Sequence, residues 1–228
     1  MTYYQSELAR IHDEAFGDYA DLVASGLISR ISDVHSIVEL GCGSGSLTRH
    51  LLSAGYDVFA TDASPAMLEL ARKEVPEANP RLLVLPGDPI PETEAVVALG
   101  HVFNYLGSRE DIEEGMIAAA TAGSVFLTDM LDVSYADSRP EPVEFYHEGN
   151  GWKLWTVNRL ETPNLVIREM EIETADGITH EVHRNILVDA DEIADLLVSE
   201  GFRVHTSTSF GDETLPHGFA VLEARRPS

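Results

Sequence analysis

The sequence is nearly devoid of cysteine, since Cys42 is the only one among its 228 residues. A single thiol cannot form an intramolecular disulfide or a cysteine-rich zinc site, so a disulfide scaffold and a cysteine-rich zinc module are excluded. Long hydrophobic runs are also lacking: no stretch approaches the roughly 18 apolar residues of a membrane span, and the first residues lack the features of a signal peptide. We therefore expect a cytoplasmic protein with no membrane partner.

Positive charge is scarce as well. Fifteen Lys and Arg residues stand against 39 Asp and Glu residues, which gives a formal net charge of -24. A phosphate backbone would be repelled by such a chain, so we expect no nucleic-acid partner. The acidity is explained more simply by a salt-rich or GC-rich host. An apolar fraction of 44% is that of an ordinary globular protein.

The order of apolar patterns indicates an α/β chain with an insertion. Helical spacing over residues 5–31 predicts two helices, with breaks near Gly17 and Gly26. Short β-rich runs then alternate with helical stretches, which predicts a parallel sheet covered on both faces. The runs that we assign to strands of this sheet are residues 37–40, 58–61, 82–85, 95–99, 124–128, 204–208 and 219–224.

Past Leu131 the alternation stops. Four β-rich runs follow with only turns between them, which predicts an antiparallel meander. A helix capped by Asp189 resumes the α/β pattern. We expect an N-terminal helical cap (residues 1–34), an α/β core (residues 35–131 and 188–228) and an inserted β lid (residues 132–187).

A glycine-rich turn follows the first predicted strand. Gly41, Gly43 and Gly45 stand at alternate positions where the strand runs into a helix, so the backbone there can approach a ligand closely. Such a turn alone is a weak signal. Its spacing departs from the dinucleotide-binding pattern, because Ser46 occupies the position of the third glycine of G-x-G-x-x-G. Glu39 precedes the turn by two residues.

Two further carboxylates follow neighbouring strands. Asp62 ends the second strand, where a carboxylate can accept hydrogen bonds from both ribose hydroxyls. Asp88 follows the third strand and could accept from an adenine amino group. Each has a purely structural alternative, since Asp62 could only cap the next helix and Asp88 could only shape a turn.

Together, the Glu39-x-Gly41-x-Gly43-x-Gly45 turn, the acidic end at Asp62 and the Gly87-Asp88 pair resemble the class I S-adenosylmethionine-dependent methyltransferases. The resemblance implies a Rossmann-like, doubly wound, seven-stranded sheet with an antiparallel last strand and a β-meander lid inserted after strand five. It also implies S-adenosylmethionine as cofactor and S-adenosylhomocysteine as product. The implied cofactor-binding residues are Tyr19, Glu39, Gly41, Cys42, Gly43, Gly45, Asp62, Ala63, Met67, Gly87, Asp88, Pro89, Leu99 and Gly100.

Within that set, the resemblance gives several residues particular roles. The three glycines would lie against the methionine part of the cofactor, and Asp62 would hold the ribose. Met67 would cover one adenine face while Asp88 binds its amino group. Tyr19 is the candidate for an N-terminal aromatic residue near the cofactor carboxylate. The lid looks like that of small-molecule methyltransferases, so the implied acceptor atom is a nitrogen or an oxygen.

His101 is the candidate catalytic residue, because it follows the fourth strand at the ligand-binding edge of the sheet. It could act as a base, orient the acceptor or only form part of the wall. Tyr105 and the lid residues Tyr146, His147, Trp152 and Trp155 are candidate acceptor-binding residues, with packing as the alternative. His180 and His183 point to opposite faces of a strand, so we expect no metal.

Two other functions remain open from the sequence. An NAD-dependent oxidoreductase shares the strand, the glycine turn and the ribose acid, and a non-catalytic module could bind the nucleoside alone. Tighter binding of NADH than of S-adenosylmethionine would favour the oxidoreductase. Absence of turnover with any acceptor would favour the non-catalytic module. The sequence leaves open whether the protein is a monomer or a homodimer.

Overall fold

The computed structural model of the chain describes residues 4–137 and 142–227. Its helices are α1 (Ser6–Phe16), α2 (Asp18–Arg30), α3 (Ser46–Ser53), α4 (Pro65–Glu74), α5 (Arg109–Ala122) and α6 (Ala190–Ser199). Its strands are β1 (Ser36–Leu40), β2 (Asp57–Asp62), β3 (Arg81–Leu82), β4 (Ala95–Ala98), β5 (Val125–Leu131), β6 (Val143–Gly149), β7 (Trp152–Thr162), β8 (Leu165–Thr174), β9 (Gly177–Ile186), β10 (Arg203–Ser207), β11 (Ser209–Phe210), β12 (Glu213–Thr214) and β13 (Phe219–Arg225).

The main sheet has seven strands in the order β10-β13-β5-β4-β1-β2-β3. β13 runs antiparallel to both of its neighbours, and the pairs among β1 to β5 are parallel. Every residue of β4 and β5 is buried, as is typical of strands covered by helices on both faces. This arrangement confirms the predicted fold class, including the antiparallel last strand.

The inserted segment forms a second sheet in the order β6-β7-β8-β9, entirely antiparallel. One face of this sheet packs on α1, where Leu8 and Ile11 contact Trp152, Leu154 and Met170. The lid predicted after the fifth strand is therefore confirmed as a β-meander. The division into three domains at the predicted boundaries stays a prediction.

Three strands of the main sheet end at the same edge with residues of chemical interest. β1 leads into the glycine turn, β2 ends at Asp62, and β4 leads into Gly100 and His101. Because the carboxyl ends of parallel strands form the ligand-binding edge of an open α/β sheet, this edge positions the site.

Two sequence-based expectations are wrong in detail. The third strand is only Arg81–Leu82, because the chain turns so that Leu83 and Leu85 are buried beside the sheet. The predicted break at Gly26 is absent, since α2 runs through it. Gly26 instead allows a close approach: a Cβ there would lie 2.3 Å from the backbone oxygen of Phe210.

No helix within residues 4–137 and 142–227 combines the length and the hydropathy needed to cross a bilayer.

We predict that Gly26→Ala destabilises the protein, although alanine is intrinsically better in a helix by about 1 kcal/mol. The new methyl group would collide with backbone atoms of β11, which cannot rotate away as a side chain can. We expect a net loss of about 1–3 kcal/mol in the free energy of unfolding, measured by urea denaturation.

The matched control is Ser25→Ala, which introduces the same residue at the preceding, exposed position of α2. It should gain only the difference in helix propensity, about 0.5 kcal/mol, because no backbone atom stands in the way of an exposed methyl group. A Gly26→Ala protein more stable than the wild type would contradict the close packing of α2 against β11.

Candidate functional site

A cavity of about 560 Å³ lies between the carboxyl edge of the main sheet, α1 and the inner face of the lid. Its volume falls within the roughly 300–1,000 Å³ of small-molecule sites. Sequence-predicted residues that line it are Tyr19, Glu39, Gly41, Cys42, Gly43, Asp62, Ala63, Met67, Leu99, Gly100, His101 and Tyr105.

The glycine turn owes its shape to left-handed backbone conformations. Gly41 has φ 71°, and a Cβ there would lie 2.4 Å from Cγ2 of Val102. Gly43 has φ 56° with open space where a Cβ would be. The turn thus presents bare backbone to the cavity. Cys42 is buried within it, and burial raises the pKa of its thiol, so it is no nucleophile.

Asp62 links this turn to the next helix. Its Oδ2 accepts a hydrogen bond from the backbone N–H of Gly43 at 2.9 Å, and its Oδ1 accepts from that of Ser64 at 2.7 Å. Burial raises the pKa of Asp62. Each carboxylate oxygen has a second lone pair, so the group can still accept hydrogen bonds from a ligand.

Glu39 is a second buried acid at the same end of the cavity. Its Oε2 accepts a hydrogen bond from Oγ1 of Thr48 at 2.6 Å. Burial raises the pKa of Glu39 to about 7, and the charge of Asp62 adds to the effect. A ligand that carries positive charge would favour the ionised form of both acids.

His101 is held in an uncommon backbone conformation. Its φ of 49° is left-handed, which costs a non-glycine residue about 1–2 kcal/mol. Its backbone N–H donates to Oδ1 of Asp129 at 2.8 Å, and the hydroxyl of Tyr19 donates to Oδ2 at 2.6 Å. Burial raises the pKa of Asp129 to about 6. Asp129, which the sequence analysis missed, thus fixes two predicted site residues.

The ring of His101 has unused hydrogen-bonding capacity. It is stacked on Tyr105 with a centroid distance of 5.7 Å, and both of its nitrogens are buried without a hydrogen-bond partner among the described residues. Burial lowers the pKa of His101 to about 3, and the positive charges of Arg168 and His183 contribute. The ring is therefore neutral near pH 7.

The lid contributes His147, which was a sequence-based candidate, and four residues that were not. The inner face brings Phe145, His147, Thr156, Asn158 and Arg168 to the cavity. Asn158 and Arg168 are cross-strand neighbours of β7 and β8, and Nε of Arg168 donates to Oδ1 of Asn158 at 3.3 Å. A signal existed in β8, where Arg168 interrupts an alternating apolar series formed by Val166, Met170 and Ile172.

The structure does not bring Tyr146, Trp152 or Trp155, the other predicted lid residues, to the cavity. Trp152 is buried against α1, where its Nε1 donates to Oε2 of Glu14 at 2.6 Å. Trp155 and Tyr146 pack together on the outer face, with ring centroids 5.1 Å apart. Strand parity places Trp155 on the face opposite to Thr156 and Asn158, whereas Trp152 shares their inner face but is covered there by α1.

Four predicted cofactor residues also lie off the cavity lining. Gly45 packs against Val75 instead. Gly87, Asp88 and Pro89 are exposed in the turn after β3. Oδ2 of Asp88 accepts a hydrogen bond from the backbone N–H of Val84 at 2.8 Å, which is the turn-shaping alternative. His180 is exposed and His183 is buried, consistent with opposite faces.

The strand order, the glycine turn and the acid at the end of β2 define a Rossmann-like methyltransferase fold. Residues 37–122 match the family described as a methyltransferase domain. An uncharacterized methyltransferase of Bacillus licheniformis is 32% identical over 107 residues, which cover 45% of this chain and 47% of the relative. The match thus spans about half the length of that relative. The similarity of residues 37–122 to a methyltransferase domain agrees with the resemblance to the class I S-adenosylmethionine-dependent methyltransferases.

Two solved structures share the whole fold at low sequence identity. An S-adenosylmethionine-dependent methyltransferase from Clostridium acetobutylicum superposes with a TM-score of 0.79 at 16% identity, covering 97% of this chain and 98% of that one. A sugar N-methyltransferase from Streptoalloteichus has a TM-score of 0.71 at 18% identity, covering 100% and 97%. The likeness extends over the lid as well as the main sheet.

We predict that Glu39→Gln changes how stability depends on pH. The raised pKa of Glu39 means that its stabilising protonated form is fully present below about pH 4.5 and is lost as the pH rises through about 7. The variant has no carboxyl group to ionise and therefore does not lose this stability. The difference in the free energy of unfolding, variant minus wild type, should rise by about 3 kcal/mol between about pH 4 and pH 8. Calorimetric unfolding of ligand-free protein across that range measures the difference.

Glu77→Gln, which changes an exposed residue, is the matched control and should follow the wild type at every pH. If Glu39→Gln also parallels the wild type, Glu39 is ionised without cost and its pKa is not raised.

Proposed function

We propose that this protein transfers a methyl group from S-adenosylmethionine to a nitrogen or oxygen atom of a small molecule inside the cavity. The observation that carries the proposal is that one cavity joins the glycine turn and Asp62 to a polar lid face. Such a space accommodates a nucleoside cofactor and an acceptor side by side.

The residues at the sheet edge fit the cofactor. Bare backbone at Gly41 and Gly43 would lie against its amino-acid portion, and Asp62 would accept hydrogen bonds from the ribose. Met67, Leu83 and Leu85 provide an apolar wall for the adenine. We no longer assign the adenine amino group to Asp88, because its carboxylate serves the turn after β3.

When bound, S-adenosylmethionine supplies a methyl group on a positively charged sulfur, and the sulfur is the leaving group when a nucleophile attacks the methyl carbon. The protein's contribution is alignment and exclusion of water, for which the lid and α1 close the cavity. The neutral ring of His101 can accept a hydrogen bond from an acceptor hydroxyl or amine and orient its lone pair. Tyr105, stacked on that ring, holds it in place.

The proposal of a small acceptor draws support from two sides. The cavity has room for a metabolite next to a cofactor, and the sugar N-methyltransferase that shares this fold is named for such an acceptor. The glycine spacing and the antiparallel β13 argue against a dinucleotide-dependent oxidoreductase, whose sheet is typically all parallel.

We predict that Asp62→Ala weakens binding of S-adenosylhomocysteine by at least about tenfold, or about 1.4 kcal/mol. The substitution removes the carboxylate that is proposed to accept hydrogen bonds from the ribose and that accepts one from the backbone N–H of Gly43. Isothermal titration calorimetry measures the affinity, and circular dichroism checks that the variant is folded.

Asp88→Ala is the matched control, since it removes an acid that the turn uses and the cavity does not. Its affinity should equal that of the wild type. Equal binding by Asp62→Ala would remove the role of Asp62, and tighter binding of NADH than of S-adenosylhomocysteine by the wild type would overturn the proposed cofactor.

A further inference from the structure

Arg168 is a positive charge at the acceptor end of the cavity. It lies in the middle of β8, directly opposite Asn158 of β7 and His183 of β9, so the three side chains share the inner face of the lid. Its one hydrogen bond to a described residue is the 3.3 Å contact from Nε to Oδ1 of Asn158. The two terminal nitrogens of the guanidinium group are thus available to a ligand.

The other lid arginines behave differently. Arg159 forms an ion pair with Glu169, and Nη2 of Arg184 lies 2.8 Å from Oε2 of Glu161. Arg168 has no such partner within 4.0 Å among residues 4–137 and 142–227. Although the chain has 39 acidic residues, Arg168 thus faces the cavity without a carboxylate partner among the described residues.

The nearest acid on the same face is occupied elsewhere. Glu181 stands one cross-strand row from Arg168, yet its oxygens accept from the backbone N–H of Gln5 at 3.1 and 3.2 Å. Its Oε2 also lies 3.2 Å from Nε2 of His183. Glu181 therefore anchors the segment before α1 and does not neutralise the guanidinium group.

Polar atoms beside Arg168 also lack partners. Oγ1 of Thr156 and Nδ1 of His183 are buried without a hydrogen bond to any described residue, as are both ring nitrogens of His101. Buried polar groups are normally satisfied, so such a cluster around a cavity indicates that a ligand completes it. An anion would neutralise the guanidinium charge and could also accept hydrogen bonds from the hydroxyl of Thr156 and from the protonated ring nitrogen of His101.

We propose that the acceptor of this enzyme carries an anionic group, a carboxylate or a phosphate, which the guanidinium group of Arg168 binds on the inner face of the lid. The inference rests on the proposed methyl transfer in the same cavity and adds the chemical class of the acceptor. Arg168 is then a specificity-determining residue, since a planar fork of N–H donors matches either oxyanion. Binding there would direct the rest of the acceptor toward His101.

The experiment uses the 228-residue chain saturated with S-adenosylhomocysteine, in a buffer without other multivalent anions. Inorganic phosphate, succinate and the uncharged analogue succinamide are titrated separately, and the Nε–Hε signal of Arg168 is followed by NMR. The variants are Arg168→Gln and, as matched control, Arg184→Gln, which removes the same charge from an arginine outside the cavity lining.

We expect at least one anion to shift the Arg168 signal in a saturable way in the wild type and in Arg184→Gln, with no effect of succinamide. By calorimetry, its affinity for Arg168→Gln should fall by at least about tenfold, because the charge-assisted hydrogen bonds are lost. A preference for phosphate or for succinate identifies which oxyanion the acceptor bears.

Absence of any shift in the wild type, or equal anion affinity in Arg168→Gln, overturns the inference. Affinity for S-adenosylhomocysteine separates this failure from that of the proposed function. If the wild type binds that compound and no anion, only the acceptor class is wrong; if it does not bind it, the methyltransferase proposal fails first. Unchanged S-adenosylhomocysteine binding by Arg168→Gln confirms that the variant is folded.

Discussion

The site depends on the two backbone hydrogen bonds that the partly buried carboxylate of Asp62 accepts from Gly43 and Ser64. They tie the turn after β1 to the end of β2, and they compensate for taking a charged group out of water. The connection continues, because Oγ of Ser64 accepts from the backbone N–H of Met67 at 3.2 Å and donates to the carbonyl of Tyr4 at 2.7 Å. One acid thereby positions the turn, the start of α4 and the segment that covers the cavity.

A second set of hydrogen bonds positions the lid. Asn104 is fully buried, and its Nδ2 donates to the carbonyls of Leu131 at 2.9 Å and Ile186 at 2.6 Å. Its Oδ1 accepts from the backbone N–H of Leu131 at 2.9 Å. Since Leu131 ends β5 and Ile186 ends β9, a side chain three residues after His101 fixes both roots of the insertion. The lid side of the cavity is therefore anchored by the same loop that carries His101.

The sequence predicted the main sheet well because its signals are local. A glycine turn after a β-rich run and an acid at the end of the next strand can be recognised from the sequence without knowing what packs on them. The lid face was not predictable in this way, since β7 places tryptophans on both of its faces and only packing against α1 decides which one is inner. The adenine-binding role predicted for Asp88 has a related difficulty, because a carboxylate after a strand can bind a ligand or stabilise its own turn. Since β3 ends at Leu82, Asp88 lies in the turn and bonds to it.

Charge is distributed unevenly along the cavity. Glu39 and Asp62 lie at the end next to the glycine turn, where burial raises the pKa of both and so makes their ionised forms costly. A cationic ligand would offset that cost. Arg168 lies at the other end, where its charge helps to keep His101 neutral. A positively charged cofactor and a negatively charged acceptor would thus bind at opposite ends of the cavity. An acceptor bound by Arg168 would lie near His101, whose low pKa lets the neutral ring accept a hydrogen bond but disfavours its protonated form.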